Sequence, residues 1–375
     1  MKHDKSRKRA RRFAPAFNPW VLGVIVGGLV VSSGLAYAVG YSSVFGIDYY
    51  APVLSVVVPQ RPVLDKKAYD LKLLQIAHAT STISTTTIAA FYATSSTSTV
   101  RALWPARAPY PKAGALLPFN RIVAYYGNFL SKYMGILGEY PQEEVLARLK
   151  VAAAEWEAAD PATPVVPAID YIAVTAQAEA GRDGKYRARM SDSQIDHALE
   201  MAKEVDGIVI LEIQVGLSDL QTEIPLLEKY FSMPQVHLAI DPEFAMQPSG
   251  ARPGTVIGSV DASDINYAAN YLAGLVRAHD LPPKVLVVHR FTEGMVTNYK
   301  SITPLPEVQI VMDMDGWGFP AKKINTYNVV IYPEPVQFTG FKIFYKNDLE
   351  PPSERLMSPD DLLRLKPQPV FIQYQ

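Results

Sequence analysis

Polar and apolar positions divide this 375-residue chain into unlike stretches. Residues 20–41 read WVLGVIVGGLVVSSGLAYAVGY, without one charge. Residues 80–99 are poor in apolar positions, thirteen of the twenty being Ser or Thr. From residue 117 onward, short apolar runs alternate with amphipathic stretches, as expected for strands buried on both faces and joined by helices. The runs predict strands at 121–126, 168–176, 207–213, 236–241, 284–289, 308–313, 328–332 and 340–345. Between them the spacing predicts helices at 141–159, 195–205, 219–231 and 263–279, with a last one at 359–365 closing the domain. Ser191 with Gln194, and Ser218 with Gln221, have capping-box spacing; Pro225 inside the third helix marks a separate first turn.

This alternation over roughly 250 residues suits one α/β domain, a (β/α)8 TIM-like barrel at 118–375. Two features fit it poorly. The predicted seventh and eighth strands are about seven residues apart, too few for a crossover helix. Residues 247–260 carry Pro248, Gly250, Pro253, Gly254 and Gly258 and are expected to form an active-site loop or hairpin. A Rossmann fold is the weaker alternative, because no G-x-G-x-x-G follows the first strand.

The apolar stretch at 20–41 would rise about 33 Å as a helix, enough for a ~30 Å hydrocarbon core. Seven of the chain's 36 Lys and Arg residues fall within its first twelve positions. Such a cluster stays in the cytoplasm and sends the following chain outward. The expected organisation is a basic cytoplasmic segment at 1–19, a transmembrane signal-anchor helix at 20–41, and a juxtamembrane segment with a Ser/Thr/Pro-rich stalk at 42–117. Within that stalk, 65–78 has the spacing of a short amphipathic helix. Ala36-Tyr37-Ala38 has the small-x-small form of a cleavage site, so secretion after cleavage following Ala38 is the alternative to a single-pass cell-membrane protein.

A net charge of −1 gives no overall field for nucleic acid, and no nucleic-acid partner is expected. The chain has no cysteine, which removes disulfides, thiolate metal sites and a Cys nucleophile. The six histidines show no H-x-H or H-E-x-x-H spacing, so no metal is expected, although a carboxylate-only cation site stays open. No cofactor motif, G-x-S-x-G or P-loop occurs.

The candidate chemistry lies just past the predicted strands, where a parallel barrel places its active site. The fourth ends in Asp241-Pro242-Glu243; if the extended backbone continues, Asp241 and Glu243 face one side. The sixth ends in Asp313-Met314-Asp315-Gly316-Trp317, two acids of like parity followed by an aromatic. A carboxyl with a raised pKa can protonate a leaving oxygen, a second carboxylate can act as base or nucleophile, and Trp317 can stack on a pyranose. The opposing reading makes Asp241 a loop-ordering residue and Asp315-Gly316 a turn. Gln214, after the third strand, is a candidate for a sugar hydroxyl, while Glu212, deeper in that strand, suits a buried polar network. His289 ends the fifth strand and either binds substrate, transfers a proton or is structural. Tyr126 is expected to line the pocket. Lys342, within Phe341-Lys342-Ile343-Phe344-Tyr345, needs a carboxylate partner if buried; Tyr345 is placed with the substrate-binding group.

Several of these pieces recur in order as a resemblance. They are Ala124-Tyr125-Tyr126-Gly127; Gly135-Ile136-Leu137-Gly138-Glu139; Gly184-Lys185-Tyr186-Arg187; Leu211-Glu212-Ile213-Gln214; Asp241-Pro242-Glu243-Phe244; Pro253-Gly254; Ile257-Gly258; His289-Arg290-Phe291; Asp315-Gly316-Trp317-Gly318; and Gly340-Phe341-Lys342-Ile343-Phe344-Tyr345. Through them, residues 121–375 resemble a family of exported, membrane-attached bacterial proteins with a glycoside-hydrolase-like TIM-barrel domain. The chain departs from that family's pattern at Glu212 (there Asp), Val215 (Pro) and Arg290 (Gln). The resemblance implies the fold and location more than a reaction.

Together these readings give the expected function: a membrane-anchored, extracytoplasmic glycoside hydrolase-like protein acting on cell-envelope polysaccharide. Glu243 would be the general acid and Asp313 or Asp315 the base or nucleophile. Tyr126, Gln214, Asp241, His289, Trp317, Lys342 and Tyr345 would bind substrate. The alternative is a non-catalytic carbohydrate-binding or envelope-structural protein on the same scaffold.

Overall fold

Residues 61–79 and 102–375 are described by a computed structural model. The basic segment at 1–19, the 20–41 segment with its Ala38 cleavage point and the Ser/Thr run at 80–99 lie outside the described residues. Among the described residues, no helix is long and apolar enough to cross a membrane.

Eight parallel strands close on themselves: β1 (Arg121–Gly127), β2 (Val165–Ala176), β3 (Ile208–Ile213), β4 (Val236–Ile240), β5 (Lys284–Arg290), β6 (Val308–Met314), β7 (Phe338–Ile343) and β8 (Phe371–Tyr374). Each pairs with the next, and β8 pairs with β1. The short strand Arg187–Arg189 adds antiparallel to the top of β2. Six strand expectations hold. The seventh does not: 328–331 lie in a π-helical turn, Tyr327–Ile331, that continues helix α5 (Pro320–Thr326), and Tyr332 caps it. The run expected as the eighth strand is β7, and the true eighth follows the helix expected to close the domain, α6 (Pro359–Leu363). The seven-residue gap therefore disappears. Val329 is exposed, as a helical surface allows and a central barrel strand does not.

Four helices form close to where the spacing predicts them, with altered caps. They are α1 (Lys66–Ile76), α2 (Gln142–Ala159), α3 (Asp192–Lys203) and α4 (Ala262–Ala278). Ser191 makes no side-chain cap to α3, its hydroxyl meeting Ser193 Oγ instead. After β3, Asp219 rather than Ser218 accepts the Thr222 N–H, and Pro225 sits in a 3-10 turn, so the predicted helix is split. Helix α4 starts with a capping box made by Asp261 and Asp264. From β5 the chain reaches β6 through 3-10 turns and a two-residue strand, without a crossover helix.

A strand's two-residue period sorts its side chains. Val209, Leu211, Leu238, Ile240, Leu286, Val288, Ile310 and Met312 point outward into the core under the helices. Ile122, Ala124, Ala168, Ile210, Ala239, Val287, Val311, Phe338 and Phe371 fill the barrel's lower interior. Helix α1 covers that lower end: Tyr69 and Ile76 join the interior cluster, and Tyr69 packs edge-on to Phe119. Nearby, Gln309 Oε1 accepts the N–H groups of Leu116 and Leu117 at 3.0 Å.

Candidate active site

Above this apolar floor the inward positions turn polar. Tyr126 continues the inward series of β1, Asp170 that of β2, Glu212 and Gln214 that of β3, and Asp241 that of β4. His289 follows on β5, Asp313 and Asp315 on β6, Lys342 on β7 and Gln373 on β8. All are buried. Burying five carboxyl groups beside the cations of His289 and Lys342 demands a connected network, and one is present.

The network has two tiers. In the lower tier His289 Nδ1 lies 3.0 Å from Asp313 Oδ2, and His289 Nε2 lies 3.1 Å from Glu212 Oε2. Gln373 Nε2 donates to Asp170 Oδ2 at 2.6 Å. Gly340 is the register neighbour of Asp313; a Cβ there would come within 2.4 Å of Asp313 Oδ1, so the missing side chain makes room for the carboxylate. In the upper tier Tyr126 Oη donates to Glu212 Oε1 at 2.9 Å. Gln214 Nε2 contacts the same oxygen at 2.8 Å, Tyr126 Oη at 3.2 Å and Asp241 Oδ2 at 3.3 Å. Its Oε1 accepts the Ala176 N–H. Lys342 Nζ lies 3.1 Å from Asp315 Oδ1 and 3.9 Å from the Tyr126 ring centroid, an ion pair combined with a cation–π contact.

Burial works against the ionised form of every member, and neighbouring charge decides which ones keep it. For His289 burial favours the neutral ring, but Asp313, Glu212 and Asp315 outweigh it and hold the ring's pKa well above its ordinary value. The Lys342 ammonium is likewise held charged by Asp315 and its acidic neighbours against burial. Burial pushes Glu212 up, yet His289 and Lys342 bring its carboxyl below the ordinary range. Asp170 and Asp241 are raised by burial and then by the charge of Glu212. Glu243 is raised by burial and by Asp315, with Lys342 opposing.

A cavity of about 480 Å³ opens over this floor, lined among others by Tyr126, Gln214, Asp241, Glu243, Asp315, Trp317 and Lys342. Glu243 arrives by a route other than the expected one. The extended backbone stops at Ile240, and Pro242–Phe244 form a 3-10 turn capped by Asp241, whose Oδ1 accepts the Glu243 N–H at 3.0 Å. Asp241 thus has the loop-ordering role and also faces the cavity. The 247–260 loop does not line the cavity but backs this turn: Gly258 N donates to Glu243 O at 2.7 Å, and a Cβ at Gly258 would meet that oxygen at 2.7 Å.

The expected site residues therefore separate. Glu243, Asp315, Asp241, Tyr126, Gln214, Trp317 and Lys342 meet at one cavity. Asp313 and His289 lie beneath its floor, fully buried and out of reach of anything in it. Tyr345 is elsewhere, stacked on Tyr374 at 5.2 Å outside the barrel wall with its hydroxyl 3.0 Å from that of Tyr125. Gln214 has both ends of its amide engaged, so it organises the floor. Sequence reasoning passed over Asp170, although a lone acid within the apolar run 168–174 was a visible signal for a buried partner. It also passed over Gln373, whose strand was not recognised, and over Phe291 and Lys322 at the cavity wall. Trp317 is 45% exposed, with Lys322 Nζ 4.6 Å from its ring centroid.

Neither a protein-family model nor a curated protein sequence matches the chain. Among solved structures, the chain is similar to "Cellulase Cel5C_n" (TM-score 0.34, 11% identity, 60% of this chain and 65% of that one). It is also similar to a ruminal GH26 endo-beta-1,4-mannanase (TM-score 0.33, 11% identity, 68% of this chain and 58% of that one). The HPPK-DHPS of Plasmodium falciparum, solved with pteroate, is a further neighbour (TM-score 0.30, 10% identity, 68% of this chain and 44% of that one). The chain thus spans less than two thirds of the length of each, and likeness at this level fixes neither activity nor substrate.

Proposed function

We propose that the chain is a glycoside hydrolase-like enzyme of the cell envelope, held at the membrane by residues 20–41 and acting outside it on a polysaccharide. The observation that carries this reading is that Glu243 and Asp315 open into one cavity and feel each other's charge, with Glu243 raised above the ordinary carboxyl range. Glu243 keeps its proton and delivers it to the leaving glycosidic oxygen. Asp315, its charge balanced by Lys342, acts as nucleophile or as base for a water, depending on carboxylate separation. Trp317 offers its exposed face to a sugar ring. Asp313 and His289 leave the list of groups that touch substrate and instead hold the floor.

The test is release of reducing ends from purified envelope glycans by the full chain, beside Glu243→Gln and Asp315→Asn. Release lost in both supports the assignment, and release unaffected by both removes it. One observation favours a second reading, a carbohydrate-binding protein without turnover: both oxygens of Asp315 lie within 3.3 Å of Lys342 Nζ, so the carboxylate is already engaged by a neighbour. Glycan binding without any product would support that reading.

A further inference from the structure

We propose that Asp170, Glu212 and His289 form a binding site for one divalent first-row metal ion, Mn²⁺ or Zn²⁺, beneath the cavity floor. The residues come from β2, β3 and β5. Each offers one ligand atom, and these atoms lie within 4.8 Å of one another. All three side chains are fully buried.

The independent sign of a missing partner is in the hydrogen bonding. Asp170 Oδ1, Glu212 Oε2 and His289 Nε2 are buried and have no hydrogen-bond partner. A buried polar atom left unpaired costs about 1–3 kcal/mol, and three from one cluster call for a shared explanation. In the metal-free chain the His289 ring meets Glu212 as an ion pair, Nε2 3.1 Å from Oε2 but off hydrogen-bond geometry, and Asp170 Oδ1 has no hydrogen-bond partner. A cation would take the place of the Nε2 proton and serve all three atoms. Ligand atoms at right angles around an ion with bonds of about 2.1 Å stand roughly 3.0 Å apart.

The other atom of each residue is already held. Gln373 donates to Asp170 Oδ2, Tyr126 and Gln214 hold Glu212 Oε1, and Asp313 takes His289 Nδ1. That is the outer layer that orients metal ligands, the carboxylate on Nδ1 leaving Nε2 as the donor. One imidazole nitrogen with two carboxylates suits Mn²⁺ or Zn²⁺ better than Ca²⁺ or Mg²⁺, which favour oxygen. The ion would lock Glu212, and through it Tyr126 and Gln214, without touching substrate. The site stands whether or not the cavity hydrolyses glycans.

The test uses the full chain, stripped with EDTA and then titrated with MnCl₂, ZnCl₂ or CaCl₂ by calorimetry and thermal melting. The expected result is one equivalent of Mn²⁺ or Zn²⁺ per chain, a rise in Tm with either, and at least tenfold weaker binding of Ca²⁺. Asp170→Asn and His289→Gln should each weaken binding at least tenfold, and the surface variant Asp360→Asn should not. Because the first two variants risk misfolding, the Mn²⁺ form of the unaltered chain supplies a second readout: pulsed EPR should show coupling to one imidazole nitrogen. No stoichiometric binding by the unaltered chain, or bound Mn²⁺ without nitrogen coupling, overturns the proposal.

Discussion

Lys342 Nζ stands 3.1 Å from Asp315 Oδ1 and 3.3 Å from Asp315 Oδ2, with both side chains less than a tenth exposed. The pair joins the neighbouring ends of β6 and β7 at the mouth of the barrel. Lys342→Met would leave Asp315 and its acidic neighbours without that ammonium. Breaking one side of such a buried pair costs about 3–5 kcal/mol. Urea unfolding should show a loss of that size, together with loss of any glycan hydrolysis; an unchanged midpoint would contradict the network as described.

The pH dependence of turnover should carry the signature of Glu243. Its carboxyl is raised above the ordinary value, and as general acid it works only while protonated. Activity should therefore fall as pH rises through that pKa. Glu243→Gln should remove this limb and lower kcat by about 10²–10⁴-fold. A pH–rate profile of the unaltered chain that is flat over that range would exclude the role.

Gly340→Ala tests the packing of the lower tier. The new Cβ would meet Asp313 Oδ1 at 2.4 Å and the Phe371 ring at 2.9 Å. Overpacking of this kind costs about 1–3 kcal/mol. Thermal melting should detect it, and ring-nitrogen NMR should show the displacement of His289 from Asp313.

Away from the cavity, Glu223 is fully buried between Arg187 (2.7 Å) and Arg189 (2.6 Å). Burial pushes its carboxyl up, but the two guanidiniums and Ser218 outweigh that and hold it below the ordinary range. A depressed carboxyl stabilises the fold above its unfolded pKa and loses that contribution as pH falls through the folded one. Glu223→Gln should cost about 3 kcal/mol near neutrality, with the difference shrinking below about pH 4. A difference constant down to pH 2 would contradict this account.

Trp317 is exposed at the cavity wall, so Trp317→Ala should leave Tm nearly unchanged, surface changes usually lying within about 0.5 kcal/mol. If the indole stacks on sugar, KM should rise several-fold with kcat retained. Initial-rate kinetics on a soluble glycan would separate the two constants.

What could be read from the chain depended on how local the cause was. The apolar runs at 208–213, 284–290 and 308–314 had to be buried strands. The two-residue period then put Glu212, His289, Asp313 and Asp315 on one side of them. Residues 328–332 misled because a short apolar run suits a helix facing the core as well as a strand. Residues 371–374 were passed over because the run is only four residues long and is broken by Gln373, too short for its period to show.

The sequence by itself determined the alternation, the barrel class and which side chains face inward, since these follow from backbone period and burial. Tertiary structure alone decided height and company along the barrel axis. It set Asp313 under the floor and Asp315 above it, turned Glu243 into the cavity on a 3-10 corner, and gathered Asp170, Glu212 and His289 from three strands. Those outcomes depend on the register between strands, which arises only when all eight close into a ring.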